Sequence, residues 1–265
     1  MVALVRINGR ALLYLYLPVS TDLPVSSCKA LSVDKLTLTH DQAPTTEGNK
    51  NMTKIIGIVQ VKGGAGRSTL ATNLAGELSK FGSTVLIDGD MPQGTSASWY
   101  SIRQQSDKPG ELIADTAINH RELIDKTEHY KQSADYIVLD GPPRIAEMTR
   151  AILVLSDLCL IPVGASVAEI WATADVLTLI EEARQVRPVD ARMVWTRHRP
   201  YTNLAKELAT QAEAELGLPI LSGTMGMRVA YMEALGAGLT GAEVGDATAR
   251  MEIRLLVAEI KKILK

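Results

Sequence analysis

The segment Val61-Lys62-Gly63-Gly64-Ala65-Gly66-Arg67-Ser68-Thr69 constrains the fold more than any other part of the chain. An apolar, strand-like run from Lys54 to Gln60 precedes it, and a helix-like segment from Leu70 to Leu78 comes directly after it. A strand, a glycine turn and a helix in this order bring backbone N–H groups together at a helix N-terminus, an arrangement that binds phosphate. Glycines let the backbone approach an anion without Cβ clashes. The helix N-terminus adds roughly half a positive charge. Read alone, the loop is also compatible with a plain strand-to-helix turn, so its meaning depends on what accompanies it.

At 265 residues and 46% hydrophobic, the chain can bury a full core, and we read one main domain. The net charge of -2 and pI of 6.1 give no global argument for a nucleic-acid or membrane surface, so any such contact has to come from a local patch. Cys28 and Cys159 are far apart, and Cys159 sits in the apolar run Leu158 to Val163, which predicts a buried free thiol and a reducing, cytoplasmic compartment. The apolar run Ala11 to Leu17 is too short for a membrane span and only weakly resembles a signal peptide.

Residues 1–51 differ in composition from the rest of the chain, with Pro18, Pro24 and Pro44 among Ser, Thr and Asp. They are expected to form a mostly disordered leader, or to reflect a mis-assigned start ahead of Met52. From Met52 to the C-terminus, apolar strands alternate with amphipathic helices. This is the pattern of an α/β fold with a mainly parallel twisted sheet flanked by helices. Strands are expected at 84–88, 135–140, 158–163 and 191–196, with a short one at Pro219-Ile220-Leu221. The first helix is expected to end near Phe81-Gly82 with glycine as its C-cap. A helix covers Trp99 to Ile102, and the stretch Glu111-Leu112-Ile113 is left unassigned. Further helices are read at 121–131, 145–155, 167–185, 203–215, 228–235 and 247–263.

In open α/β sheets, ligands bind beyond the carboxyl ends of the strands. Lys62, Asp88, Asp90 and Asp140 all fall at such ends. Three carboxylates beside a phosphate loop repel one another unless a cation intervenes, and Mg²⁺ is held by one or two carboxylates plus substrate phosphates. The expected ligand is therefore a Mg-nucleotide.

The run Lys62 to Thr69 resembles the deviant Walker A loop of the ParA/MinD partition ATPases, which carries a signature lysine before the glycines. Asp88-Gly89-Asp90-Met91-Pro92-Gln93-Gly94 resembles the second motif of that family, and Asp140-Gly141-Pro142-Pro143 its Walker B end. The resemblance covers about Met52 to the C-terminus and implies a P-loop NTPase of the small plasmid-partition type. It further implies ATP held by the amides of Gly63, Gly64, Ala65, Gly66, Arg67, Ser68 and Thr69, with Lys62 also contacting nucleotide phosphates. Mg²⁺ would be held at Ser68 and Asp140 with support from Asp88, with Asp90 positioning the attacking water and Lys62 reaching a partner's phosphates across a homodimer. Asp88 also reads as a turn or helix-cap residue. Arg67 departs from the family, which has lysine there to contact the β- and γ-phosphates. Arginine keeps the charge but not the compact shape, so slow hydrolysis is expected. The resemblance also places the adenine near Thr196 and the loop Ser222 to Gly226, although Thr196 reads equally well as a cap.

Members of this family bind DNA nonspecifically as ATP dimers, and a small ParB-like protein stimulates their hydrolysis. Candidate DNA contacts here are Arg228, Arg250, Arg254, Lys261, Lys262 and Lys265, against the plainer reading of a solvated helix face. The apolar stripe Ile253, Leu256, Val257, Ile260, Ile263 and Leu264 fits core packing better than a membrane contact. The histidines His40, His120, His129 and His198 are expected in polar, exposed surroundings. Two readings remain: an ATPase that segregates DNA, and a slow or nonhydrolytic nucleotide-switched positioning protein acting on another cargo or a membrane. An iron–sulfur electron carrier of the nitrogenase type is excluded by the placement of the two cysteines.

Overall fold

The computed structural model describes residues 52–91, 93–106, 108, 110–198 and 203–265, preceded by the strands β1 (Val2–Ile7) and β2 (Arg10–Leu15). β1 and β2 pair antiparallel, Val2 opposite Leu15 and Ile7 opposite Arg10. They belong to a unit distinct from residues 49–265. The rest of the leader expectation lies outside the described residues.

The larger unit is built on a six-stranded sheet of β3 (Lys54–Ile58), β4 (Thr84–Asp88), β5 (Leu112–Thr116), β6 (Tyr136–Asp140), β7 (Leu158–Gly164) and β8 (Ala191–Thr196). Their order is β5-β4-β6-β3-β7-β8, and every adjacent pair is parallel. Alternation within each strand builds two cores. Ile55 and Val59, Ile137 and Leu139, and Cys159, Ile161 and Val163 pack with α3 (His120–Tyr130), α4 (Ala146–Leu155), α5 (Val167–Arg184) and α6 (Asn203–Leu216). On the other face, Ile56, Ile58, Val138, Leu158 and Leu160 pack with α1 (Arg67–Leu78), α2 (Thr95–Arg103), α7 (Val229–Gly236) and α8 (Ala247–Ile263). The expected α/β architecture is present. The C-terminal stripe is core, with Ile253, Leu256 and Ile260 at 0% exposure.

Three local expectations differ from the structure. α1 ends at Leu78 with Ser79 as its C-cap, and Gly82 is not the cap. Glycine is needed at position 82 for another reason: a Cβ there would lie 2.6 Å from Asp135 Oδ2. The unassigned stretch 111–113 opens β5, a half-exposed edge strand whose Asp115 interrupts any apolar pattern. Pro219 to Leu221 is not a ladder strand; it contributes one bridge, Met193 with Ile220. Among the described residues, no helix is long and apolar enough to cross a membrane.

Candidate functional site

The parallel sheet places the ends of β3, β4 and β6 side by side. Asp88 and Asp140 are register partners at the last paired position, and Ile58 faces Asp140 on its other side. The glycine loop runs from β3 into α1, turning at Gly64 (φ 75°) and Gly66 (φ 91°), both in the left-handed region that glycine adopts without strain. Added Cβ atoms at Gly63 and Gly64 would meet nothing within 4 Å, so this side of the loop is open. Gly66 caps α1 without a side-chain hydrogen bond, and the first turn of α1 carries no acidic residue. Its amides and the positive end of its dipole are therefore available to an anion.

The side chain of Arg67 turns the other way. It is 7% exposed and lies under the loop, where Nε donates to Gly141 O (2.8 Å) and Nη1 to both Gln60 O and Lys62 O (2.7 Å each). Its Nη2 is 3.9 Å from Asp90 Oδ2. Residue 141 is glycine for a separate reason, since a Cβ there would sit 2.6 Å from Ile58 O on the neighbouring strand. Burial pushes the Arg67 pKa down, opposed by Asp140 and Asp90, yet a guanidinium stays charged under such pressure. The role expected for Arg67 at the β- and γ-phosphates is not the one this geometry displays. The residue fastens the loop to the β3 and β6 ends.

Both carboxylates at the strand ends are buried, Asp88 at 0% and Asp140 at 1% exposure. Asp88 is committed to backbone: Oδ1 accepts from Asp90 N (3.0 Å) and Oδ2 from Ala97 N in the first turn of α2 (2.9 Å). The turn-and-cap reading of Asp88 thus matches its contacts, and through them it sets the position of Asp90. Asp140 Oδ2 accepts from Ser96 Oγ (2.7 Å), whereas Oδ1 is buried with no hydrogen-bond partner. Burial, then repulsion from Asp88, raises the Asp140 pKa to about 7, while Ser96, the nearby Ser68 hydroxyl and Arg67 pull it down. Burial likewise raises the Asp88 pKa, against the backbone hydrogen bonds it accepts. An orphaned buried carboxylate oxygen close to the Ser68 hydroxyl is a donor set that fits a Mg²⁺ ion.

A cavity of about 450 Å³ opens beside the loop. It is lined by Gly64, Gly66, Thr69, Thr196, Met225 and Tyr231, with further residues of the 225–235 segment. Thr196 donates its hydroxyl to Ala65 O (2.8 Å), so it braces the loop as well as lining the cavity. α8 shapes the rim: Glu259 accepts from Ser222 N and Gly223 N, and Glu252 accepts from Gly226 N, Arg228 and Tyr231 Oη.

Lys62 is half-exposed and pairs with Glu169 Oε1 at 2.6 Å. The basic candidates on and beside α8 divide. Arg228 pairs with Glu252 (2.7 Å) and Arg250 donates to Ala242 O (3.1 Å). Arg254, Lys261, Lys262 and Lys265 line a groove of about 650 Å³ with Lys80 and Phe81, and Lys261 Nζ sits 3.3 Å from the Phe81 ring centroid. His198 is not in the expected polar, exposed setting: it is half-buried, stacks on Trp195, and its Nδ1 is buried without a partner. Cys159 is buried, its thiol pushed up to about 12, which removes it from thiolate chemistry. Cys28 and Pro92 lie outside the described residues. Sequence reasoning missed Ser96, Glu169 and Arg197. For Glu169 a signal existed, since Ser166-Val167-Ala168-Glu169 has capping-box spacing at the start of α5.

A glycine loop around an uncapped helix N-terminus, with buried acids at adjacent strand ends, defines a nucleotide-binding domain on a parallel sheet. Residues 56–240 match the family described as the CobQ/CobB/MinD/ParA nucleotide binding domain, and the chain belongs to that family. The chain is 27% identical over 211 residues to the maintenance of carboxysome distribution protein A of Halothiobacillus neapolitanus, covering 77% of this chain and 95% of that one. With the chromosome-partitioning ATPase Soj of Thermus thermophilus it shares 26% identity over 223 residues, 71% of this chain and 87% of the relative. The fold is similar to that of the MinD cell division protein of Aquifex aeolicus, with a TM-score of 0.65 at 20% identity over 79% of this chain and 98% of the other. It is also similar to apo McdA of Cyanothece, with a TM-score of 0.67 at 16% identity over 80% and 100%.

Proposed function

We propose that the chain is a ParA/MinD-type ATPase whose Mg-ATP-bound form is a homodimer and whose hydrolysis is slow. The observation that carries this reading is Asp140 Oδ1, buried and unpartnered next to the open side of an uncapped helix N-terminus. Amides from Gly63 to Thr69 hold the triphosphate, and the 450 Å³ cavity beside Thr196 takes the base. Ser68 and Asp140 hold the Mg²⁺, and bound Mg²⁺ supplies the charge that neutralises phosphate oxygens. Asp88 acts through backbone by fixing the turn on which Asp90 orients the attacking water. Lys62, on the exposed side of the loop, is the cation offered to a second subunit. The test is binding of a fluorescent ATP analogue with and without Mg²⁺, together with phosphate release. Asp140→Asn should remove the Mg²⁺ dependence, and Asp90→Ala should abolish release while leaving binding intact. Mg²⁺-independent binding in the unaltered chain contradicts the reading.

The relatives include a chromosome-partitioning ATPase and a carboxysome distribution protein, so the proposed role is ATP-dependent segregation or positioning of a cargo. DNA is bound nonspecifically by Arg254, Lys261 and Lys262 of each subunit, and a small ParB-like protein stimulates hydrolysis and releases it. The proposed site of action is the cytoplasm, on the nucleoid. Charge reversal at Lys261 and Lys262 should lower DNA affinity for all sequences alike and reduce its salt dependence. One observation favours the second reading, a nonhydrolytic nucleotide-switched positioning protein: the guanidinium of Arg67 is committed to three backbone carbonyls. Absence of Asp90-dependent phosphate release in the presence of DNA and partner decides for it.

A further inference from the structure

The cavity beside the glycine loop has a phosphate end and a far end. Gly64, Gly66 and Thr69 line the first, and residues of the segment Met225 to Leu235 wall the second. One edge of that segment is bonded to the end of β8 and the residues after it. Met225 N donates to Trp195 O (2.8 Å), His198 N to Met225 O (3.0 Å) and Met227 N to His198 O (3.1 Å). On the other edge a single carboxylate does the holding. Glu252, on α8, accepts from Gly226 N (3.0 Å), from Arg228 Nη2 (2.7 Å) and Nε (3.1 Å), and from Tyr231 Oη (2.7 Å). All three donor residues line the cavity, whereas Glu252 stands behind them on a helix seated in the core by Ile253 and Leu256.

The fit around this carboxylate is close. Its side chain is 10% exposed, and a Cβ on Gly226 would lie 2.9 Å from Glu252 Oε1 and 3.0 Å from Arg228 Nε, so a side chain there would push both groups aside. Burial raises the Glu252 pKa, but Arg228, the Gly226 amide and the Tyr231 hydroxyl outweigh it and hold the carboxyl below its ordinary range. Burial and the bond to Glu252 raise the Tyr231 pKa, so the phenol stays a donor. The charge of Arg228 and the hydroxyl of Tyr231 are thus tied to Glu252, and Met225, Met227, Val229, Met232 and Leu235 supply an apolar lining.

We propose that Glu252 is a positioning residue for the nucleotide base: it fixes the far wall of the cavity in its binding shape and keeps the Arg228 guanidinium bound behind that wall. The inference rests on the reading of this cavity as the base site. A wall that is ordered before the ligand arrives lowers the cost of binding. Hydrogen bonds to an ionised acceptor are roughly twice as strong as neutral ones, so removing the charge of Glu252 loosens three lining residues at once.

The two ends of the cavity separate this role from a general effect on folding. Binding to the full chain is measured by titration calorimetry with Mg-ATP and, separately, with Mg²⁺ and inorganic tripolyphosphate, which has no base to place at the far end. Glu252→Gln, which keeps the shape and removes the charge, should weaken Mg-ATP binding about tenfold and change tripolyphosphate binding by less than about twofold. Tyr231→Phe removes one donor and keeps the ring, and it should weaken Mg-ATP binding about threefold, again sparing tripolyphosphate. Unchanged Mg-ATP affinity in Glu252→Gln overturns the proposal. So does a parallel loss of both ligands in a variant whose circular dichroism matches that of the unaltered chain. If Glu252→Gln does not fold, Tyr231→Phe decides by the same criterion. If the unaltered chain binds tripolyphosphate as tightly as Mg-ATP, the cavity does not hold the base, and the base-site reading falls together with the proposal. If it binds neither, the reading of the loop itself fails.

Discussion

The inner and outer sides of one loop hold cations in opposite ways. On the inner side, Arg67 is 7% exposed and gives three hydrogen bonds to main-chain carbonyls of two segments, Gln60 and Lys62 after β3 and Gly141 after β6. On the outer side, Lys62 is 38% exposed and makes a single ion pair. A multiply bonded buried cation is part of the scaffold, because removing it strands every acceptor at once. A half-exposed cation with one partner can change partners at little cost. The loop therefore combines a fixed underside with an outer charge that can change partners.

The largest effect that probes this contrast is Arg67→Met. Three carbonyls lose a charged donor, and the variant should lose about 3–5 kcal/mol of stability in urea unfolding. A loss below about 1 kcal/mol would mean that the three bonds are not structural. Arg67→Lys should cost about 2 kcal/mol, since one ammonium cannot span the three carbonyls that the planar fork reaches. Asp140→Asn should act in the other direction and stabilise the ligand-free protein by about 1 kcal/mol, because it removes a buried charge facing Asp88. Lys62→Met should change stability by less than about 1 kcal/mol, and a larger loss would erase the distinction between the two sides.

Much of the scaffold could be read from the chain because apolar runs and turns report burial directly. The strands ending at Asp88, Asp140 and Thr196 lie where their patterns place them. β5 escaped because an edge strand is half solvated and its composition need not alternate. Of the residues singled out in the sequence, Lys62, Arg67, Ser68, Asp90 and Asp140 lie around one loop. Their directions were not legible. Nothing in the order Gly66-Arg67-Ser68 says that the arginine turns under the loop; that depends on a carbonyl 74 residues away, at Gly141, which accepts from its Nε. Likewise, the sequence leaves Asp88 open between a metal-site acid and a turn residue, and the amides of Asp90 and Ala97, one on each oxygen, are a contact that only the structure supplies.

The most direct test is phosphate release at saturating Mg-ATP from the unaltered chain, Arg67→Lys and Asp90→Ala measured side by side. With Arg67 as scaffold, the unaltered chain should bind nucleotide and release phosphate slowly, Arg67→Lys should release it faster despite lower stability, and Asp90→Ala should release none. Release from the unaltered chain that equals that of Arg67→Lys and persists in Asp90→Ala would contradict the account.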